Sequence, residues 1–306
     1  MGVEKSGKKG RAGGFFANLL RGAAIGVAFI IPGFSGGSVA ALLGIYERMV
    51  GAVAGLFRNF RESFRFLFPV GLGLILGASA FLYPVGYALS AFPIPTVSLF
   101  VGLALGGLPV ITREIGKKPT FFGGAAFFFA FCIALALCLL PGGKDRDLFG
   151  LDTGGYALLF LVGTAGAAAL VVPGISGSML LLSLGYYRPL VTLITDYLLC
   201  GRETAQCIGV LLCAAAGIVA GFFAISVLMK RLLERFPRAT YCAILGFIVG
   251  SVPAAFFATA KDAGMTAVPT SPAFYLACVC ALALGWAAAF CFARFAARRG
   301  KDKKNS

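Results

Sequence analysis

Long apolar stretches alternate along the chain with short polar segments that carry clusters of basic residues. A helix that crosses a membrane needs about 20 mostly apolar residues. Six stretches approach or exceed this length, and we predict that each forms an ordinary transmembrane helix. They cover residues 66–83, 97–112, 119–141, 206–229, 239–259 and 273–293. The pattern therefore predicts an all-α integral membrane protein.

Two further apolar segments, residues 15–47 and 156–187, are interrupted near their centres by the sequence Pro-Gly-x-Ser-Gly. Proline lacks a backbone donor and glycine weakens a helix, so this sequence breaks the helical ladder. Each arm beside a break has about 14 to 17 apolar residues, fewer than the roughly 20 of a full span. We predict two broken helical hairpins. The short arms favour a re-entrant form, and the sequence leaves a fully spanning form open.

The chain also contains an internal repeat. The first break, residues 32–36, returns 141 residues later as residues 173–177, and Gly44 behind the first break returns as Gly185. A second set of matches lies 144 residues apart and joins Thr96, Gly102, Gly106 and Pro109 to Thr240, Gly246, Gly250 and Pro253. Three predicted spans separate the hairpins, and an odd number of crossings inverts the second copy. Inverted repeats with broken helices that meet near the midplane are typical of secondary transporters.

These features predict five segments along the chain. They are a basic N-terminus at 1–14, a first repeat at 15–141, a linker at 142–155, an inverted second repeat at 156–293 and a basic tail at 294–306. Positive residues concentrate in cytoplasmic connections of membrane proteins. The basic clusters therefore predict that both termini are cytoplasmic and that the linker is external.

Composition supports a membrane protein and excludes several functions. Hydrophobic residues make up 59% of the 306 residues and charged residues 13%, against about 25% charged in an average soluble domain. The net charge of +15 comes from separate basic clusters, so nucleic acid is not a predicted partner. The nine cysteines form no CxxC pair and the chain has no histidine, so no metal site is predicted. No nucleophile with a base and no phosphate-binding Walker loop occurs, which argues against an enzyme.

The two breaks are the first candidate site. A break within the membrane leaves backbone groups that protein, water or a ligand must satisfy. Glycines let a ligand approach the backbone, and the start of a helix favours an anion such as phosphate. The candidate residues at the breaks are Gly33, Ser35, Gly36, Gly37 and Ser38 in the first copy and Gly174, Ser176, Gly177 and Ser178 in the second.

Residues near the hairpin ends complete the candidate substrate-binding set. Arg21, Arg48 and Arg188 carry guanidinium groups that can grip phosphate oxygens with two hydrogen bonds. Arg21 and Arg48 have an alternative role as anchors at the membrane interface. Glu47 is a candidate for a coupling proton or for a local pair with an arginine. The aromatic candidates are Tyr46 and Tyr187.

Basic and aromatic residues between the first hairpin and the next span favour contact with membrane phospholipids. Arg58, Arg61 and Arg65 share one helical face, and Phe57, Phe60 and Phe64 share another. This pattern predicts an amphipathic helix at the membrane interface, which anchors the protein or gathers anionic lipid.

Three functions remain after these exclusions. The first is a lipid-phosphate translocase in which the hairpins and arginines hold the head group while the apolar tail stays in lipid. The second is an ion or small-anion channel or exchanger that uses the same helix ends. The third, a membrane-bound phosphatase or transferase, lacks a catalytic constellation. No cofactor is predicted apart from a coupling proton or sodium ion, and the sequence leaves the oligomeric state undetermined.

The motifs resemble those of the bacterial polyprenyl-phosphate transporter family, first known as an uncharacterised membrane domain. The likeness covers residues 15–293, with its strongest parts at 21–47 and 172–178. It implies flipping of undecaprenyl phosphate across the cytoplasmic membrane for recycling of the lipid carrier in peptidoglycan and cell-envelope synthesis. Where the resemblance implies an acidic residue in the second copy, this chain has Arg188, so Glu47 alone is left for any coupling carboxylate.

Overall fold

The computed structural model describes residues 4–30, 35–116, 120–139, 143–175, 177–194, 204–264 and 271–302. These residues form α-helices and contain no β-strand. The helices are α1 (Glu4–Ile30), α2 (Gly36–Leu42), α3 (Tyr46–Ala54), α4 (Phe60–Ala91), α5 (Pro93–Ile115), α6 (Phe121–Leu139), α7 (Thr153–Val171), α8 (Gly177–Ser183), α9 (Tyr187–Thr192), α10 (Thr204–Arg235), α11 (Pro237–Asp262) and α12 (Pro272–Asp302). The predicted all-α fold is confirmed.

Among the described residues, six helices are long and apolar enough to cross a membrane, and a seventh span results if α2 and α3 are counted together. The six are α4, α5, α7, α10, α11 and α12. Helices α2 and α3 meet at an angle of 119°. The chain is therefore a multi-pass membrane protein. The predicted span at 119–141 corresponds to α6, an apolar helix of 19 residues, which is the length of α7.

Both broken segments consist of a long helix, a break and a short helix. Helix α1 has 27 residues and α7 has 19, whereas α2 and α8 have seven each. Seven helical residues rise only about 10 Å, well short of the roughly 30 Å hydrocarbon core. The short second arms are compatible with a re-entrant path, which stays a prediction.

The helix boundaries differ from the predicted ones at three places. Helix α1 begins inside the basic N-terminal segment, and α12 continues into the basic tail. The predicted amphipathic helix forms the start of α4, which contains Arg61 and Arg65, whereas Arg58 lies in the turn after α3. Phe60, Phe64 and Phe68 stack along α4 with ring centroids 5.5 and 5.4 Å apart. The apolar face thus continues directly into a membrane span.

Glycine contacts bring the paired helices unusually close. A Cβ atom on Gly22 or Gly26 of α1 would collide with the backbone carbonyls of Val70 or Leu74 on α4. The second half repeats this contact, because a Cβ on Gly217 would collide with the carbonyl of Phe160 on α7. Lipid supplies little hydrophobic drive between membrane helices, so association depends on close packing by small residues.

The second set of repeat matches has a direct structural counterpart. Helices α5 and α11 both begin with proline after a phenylalanine, and a threonine hydroxyl closes each junction. Thr96 Oγ1 donates to the carbonyl of Ala88 at 2.9 Å, and Thr240 Oγ1 donates to that of Leu232 at 3.1 Å. The repeat therefore includes local geometry as well as sequence.

The two halves also exchange helices. Helix α5 of the first half packs on α12 of the second, α11 of the second half packs on α6 of the first, and α5 and α11 contact each other. Such an exchange is expected of two copies related by a two-fold axis. Inversion of the copies across the membrane stays a prediction.

We expect Gly73→Val to destabilise the fold, because a Cβ at this position would collide with the carbonyl of Leu19 on α1. Overpacking of this kind costs about 1–3 kcal/mol. The measurement is the thermal unfolding midpoint in detergent. Gly71→Val is the matched control on the same helix, because nothing lies within 4 Å of a Cβ there. Equal midpoints for the two variants would contradict the packing role of Gly73.

Candidate functional site

The two breaks contact each other. A Cβ atom on Gly37, in the first turn of α2, would lie 3.1 Å from the carbonyl oxygen of Val171 and 3.4 Å from the Cα of Pro173. Gly174 has a φ of +88°, and its Cβ would lie 2.5 Å from the backbone carbon of Phe247 on α11. Glycine is therefore required at Gly174, whereas a side chain at Gly37 would crowd the second break. The second break sits between the first break and α11.

Ser35 lies at this junction with an unused hydroxyl group. It occupies the N-cap position of α2 with extended backbone angles, φ −114° and ψ 131°, but its side chain makes no capping bond. The residue is 5% exposed, and its Oγ has no hydrogen-bond partner among the residues that the structure describes. A buried polar group without a partner costs roughly 1–3 kcal/mol. The hydroxyl is thus available to a ligand at the point where the breaks meet.

The structure describes some of the other predicted break residues and leaves others out. Ser38 is 3% exposed, and Gly36 packs against the ring of Phe29. Gly177 has ordinary space around it, because a Cβ atom added there would lie 3.6 Å from the Cβ of Ala169. The remaining predicted positions lie outside the described part of the structure; they are Gly33, Ser176 and the side chain of Ser178.

Tyr46 and Tyr187 occupy different environments, although they are equivalent in the repeat. Tyr46 is 1% exposed, and its hydroxyl donates to the carbonyl of Val171 at 2.9 Å. Tyr187 is 40% exposed. The structure therefore brings only Tyr46 to the junction of the breaks, where it binds backbone.

Arg21 and Arg48 form a pair of neighbouring positive charges. They are close enough for the charge of Arg48 to act on Arg21. Arg21 donates to Asn18 Oδ1 at 3.2 Å, and the guanidinium of Arg48 lies 4.3 Å from the ring centre of Phe66. Within the described part of the chain, neither arginine has a salt bridge. An anion would relieve the repulsion between them.

Glu47 lies near a residue that the sequence analysis did not identify as a candidate. Its carboxylate is close to the hydroxyl of Tyr241 on α11. The alternative of a local ion pair between Glu47 and an arginine does not occur among the described residues. Tyr241 follows Thr240 of the repeat, but Glu47 lies 194 positions earlier in the chain. No local sequence pattern shows that the two residues are close.

Arg188 lies in a separate, more exposed place. It forms an ion pair with Asp145 at 3.9 Å, and the two side chains are 68% and 51% exposed. Both line a pocket of about 230 Å³ with Arg146 and Asp147. The loop before α7 is held to the end of α8, because Arg146 N donates to the carbonyl of Gly185 at 3.0 Å. Arg188 thus has an acidic competitor, unlike Arg21 and Arg48.

Comparisons with known proteins agree with the resemblance seen in the motifs. The model of a family described as undecaprenyl phosphate translocase-like matches residues 25–270. A polyprenyl-phosphate transporter of Staphylococcus aureus is 29% identical over 244 residues, which cover 78% of this chain and 85% of the relative. A polyprenyl-phosphate transporter of Vibrio cholerae is 26% identical over 265 residues, covering 80% and 78%. No solved structure matches the chain significantly.

We expect Ser35→Ala to keep or raise the thermal unfolding midpoint, because it removes a buried hydroxyl that has no partner in the described part of the chain. Ser98→Ala is the control, since the buried hydroxyl of Ser98 donates to the carbonyl of Ile94 at 2.8 Å. The thermal unfolding midpoints of the two variants are measured in detergent. A clear loss of stability in Ser35→Ala, larger than that in Ser98→Ala, would show that Ser35 serves the fold.

Proposed function

Because the chain belongs to the undecaprenyl phosphate translocase-like family, we propose that it carries a polyprenyl phosphate across the bacterial cytoplasmic membrane. The two relatives named polyprenyl-phosphate transporters match most of the chain. The multi-pass helical fold supports a transporter as well. The protein moves the lipid and neither makes nor breaks covalent bonds in it.

The proposal extends to the lipid, the direction and the energy source. The lipid is undecaprenyl phosphate, and the protein returns it from the outer to the inner leaflet, where the carrier is used again in envelope synthesis. An ion gradient supplies the energy, with a proton or sodium ion as the coupling ion. Glu47, which is exposed and precedes Arg48 in the chain, is the candidate carboxylate for coupling.

The arginine pair is the observation that carries the proposal. Arg21 and Arg48 repel each other and have no acidic partner within the described residues. A phosphate monoester brings up to two negative charges and several oxygens that can accept bidentate guanidinium hydrogen bonds. The ring of Phe66 holds the Arg48 guanidinium in place, so less freedom is lost when a phosphate binds.

The breaks then supply a polar path through the hydrocarbon. The prenyl tail is as apolar as the surrounding lipid, so only the phosphate needs protein contacts during the crossing. An isolated charge in the bilayer centre is costly. The Ser35 hydroxyl, buried where Gly37 meets the second break, offers the phosphate a hydrogen bond there. At the other end, a phosphate competes with Asp145 for Arg188.

The test uses purified protein in liposomes and measures movement of a polyprenyl phosphate between the two leaflets. We expect Arg21→Ala and Arg48→Ala each to reduce the rate about 10- to 100-fold, since a hydrogen bond to a charged group contributes about 1.5–3 kcal/mol. Arg235→Ala is the control, because this exposed arginine lies 5.7 Å from a phenylalanine ring but outside the pair. It should transport at the rate of the unchanged protein.

Two outcomes would contradict the proposal. One is that the unchanged protein moves no polyprenyl phosphate in either direction, with or without a proton or sodium gradient. The other is a flux of inorganic phosphate or chloride through the same liposomes that the lipid does not inhibit. That flux would favour the channel or exchanger.

A further inference from the structure

The hydrogen bond between Tyr46 and Val171 joins the two halves of the protein at their breaks. Val171 is the last residue of α7, and its carbonyl would normally accept from the amide four residues later. The chain leaves the helix instead, since Val172 is extended with ψ 119° and Gly174 has a φ of +88°. In the membrane interior, a carbonyl freed in this way needs a partner. Tyr46 supplies it.

The repeat contains the parts for a second bond of the same kind. At the offset of 141 residues, Tyr46 corresponds to Tyr187 and Val171 corresponds to Ile30, the last residue of α1. Tyr187 is 40% exposed, and its hydroxyl makes no hydrogen bond to any described residue. Of two equivalent bonds that the repeat can form, the structure contains one.

We infer that Tyr46 and Tyr187 are positioning residues that exchange hydrogen bonds during the transport cycle. In the state described here, Tyr46 holds the end of α7. In the opposite state, Tyr187 holds the end of α1 at the carbonyl of Ile30, and Tyr46 is released. This inference rests on the proposed function. It follows from a general property of repeat-built transporters, in which one repeat moves against the other around a shared site.

The environment of Tyr46 fits a bond that forms and breaks. Gly37 lies against the same carbonyl, with a Cβ position 3.1 Å from the Val171 oxygen, so the first break can slide past the second without a side chain in between. Tyr46 also packs in the same core cluster as Tyr241, which lies close to Glu47, the residue before Arg48. Release of Tyr46 would therefore change the packing around Tyr241 and Glu47 at the head-group site.

Tyr187→Phe is the decisive variant. A purely structural role for the tyrosines predicts no effect of Tyr187→Phe, because the hydroxyl of Tyr187 makes no hydrogen bond to the described residues in this state. Exchange predicts that Tyr46→Phe lowers the population of the state described above and that Tyr187→Phe lowers the population of the opposite state. Each population should fall by a factor on the order of five. The double variant should return the balance towards that of the unchanged protein. Tyr83→Phe is the matched control, since Tyr83 is 82% exposed on α4.

The balance between states is measured without reference to transport. Ser35→Cys is introduced into a chain freed of its nine native cysteines. A membrane-impermeant maleimide is then applied to right-side-out and inside-out membrane vesicles. The ratio of labelling from the two faces should shift in opposite directions for Tyr46→Phe and Tyr187→Phe. In liposomes, both single variants should also slow polyprenyl phosphate movement by about fivefold.

The two readouts separate the inference from the proposed function. If the two variants shift labelling in opposite directions but the unchanged protein moves no lipid, the exchange of hydrogen bonds is supported and the lipid substrate is rejected. A Tyr187→Phe protein that matches the unchanged protein in both labelling and transport would overturn the exchange. Shifts in the same direction, or no labelling from either face, would overturn it too.

Discussion

The structure depends on how backbone groups are satisfied where helices break inside a membrane. Hydrocarbon offers no hydrogen bonds, so each carbonyl or amide released at a break needs a partner from the protein or a ligand. At the second break, the hydroxyl of Tyr46 reaches the carbonyl of Val171, 125 residues away in the chain. Gly37 makes this approach possible, because a side chain there would press on the same carbonyl. The breaks are therefore joined to each other, and neither is a local kink alone.

Close helix packing by glycine positions these breaks. Gly22 on α1 faces α4, and Gly163 on α7 faces α10, so the long arm of each hairpin is fixed against its neighbour by the same kind of contact. In water, burial of apolar surface would hold such helices together, whereas in lipid the shape of the interface must do so. The glycine contacts thus fix the helices around the breaks. Ser35 lies buried there, with a hydroxyl that has no partner among the described residues.

Sequence reasoning predicted the features that are local or periodic. Apolar length located the long helices, and the Pro-Gly breaks separate a long from a short helix in both hairpins. Contacts between distant parts of the chain could not be predicted from the sequence. Glu47 lies close to Tyr241 of α11, and Arg188 pairs with Asp145 of the linker. The boundary between the predicted interfacial helix and the next span could not be predicted either. Periodicity alone does not show where one helix ends, and the rings from Phe60 to Phe68 stack along the single helix α4.

The two halves share a backbone plan but differ in charge. The first half contributes Arg21 and Arg48 without an acidic partner in the described structure, whereas Arg188 of the second half lies beside Asp145. A carrier must release its cargo as well as bind it, so a competitor for one arginine lowers affinity at that end of the path. In the proposed cycle, the difference sets how tightly each face holds the phosphate. It does not set the direction of net flow, because binding energies cancel over a closed cycle. Direction comes from the lipid concentrations in the two leaflets and from any ion gradient coupled to the movement.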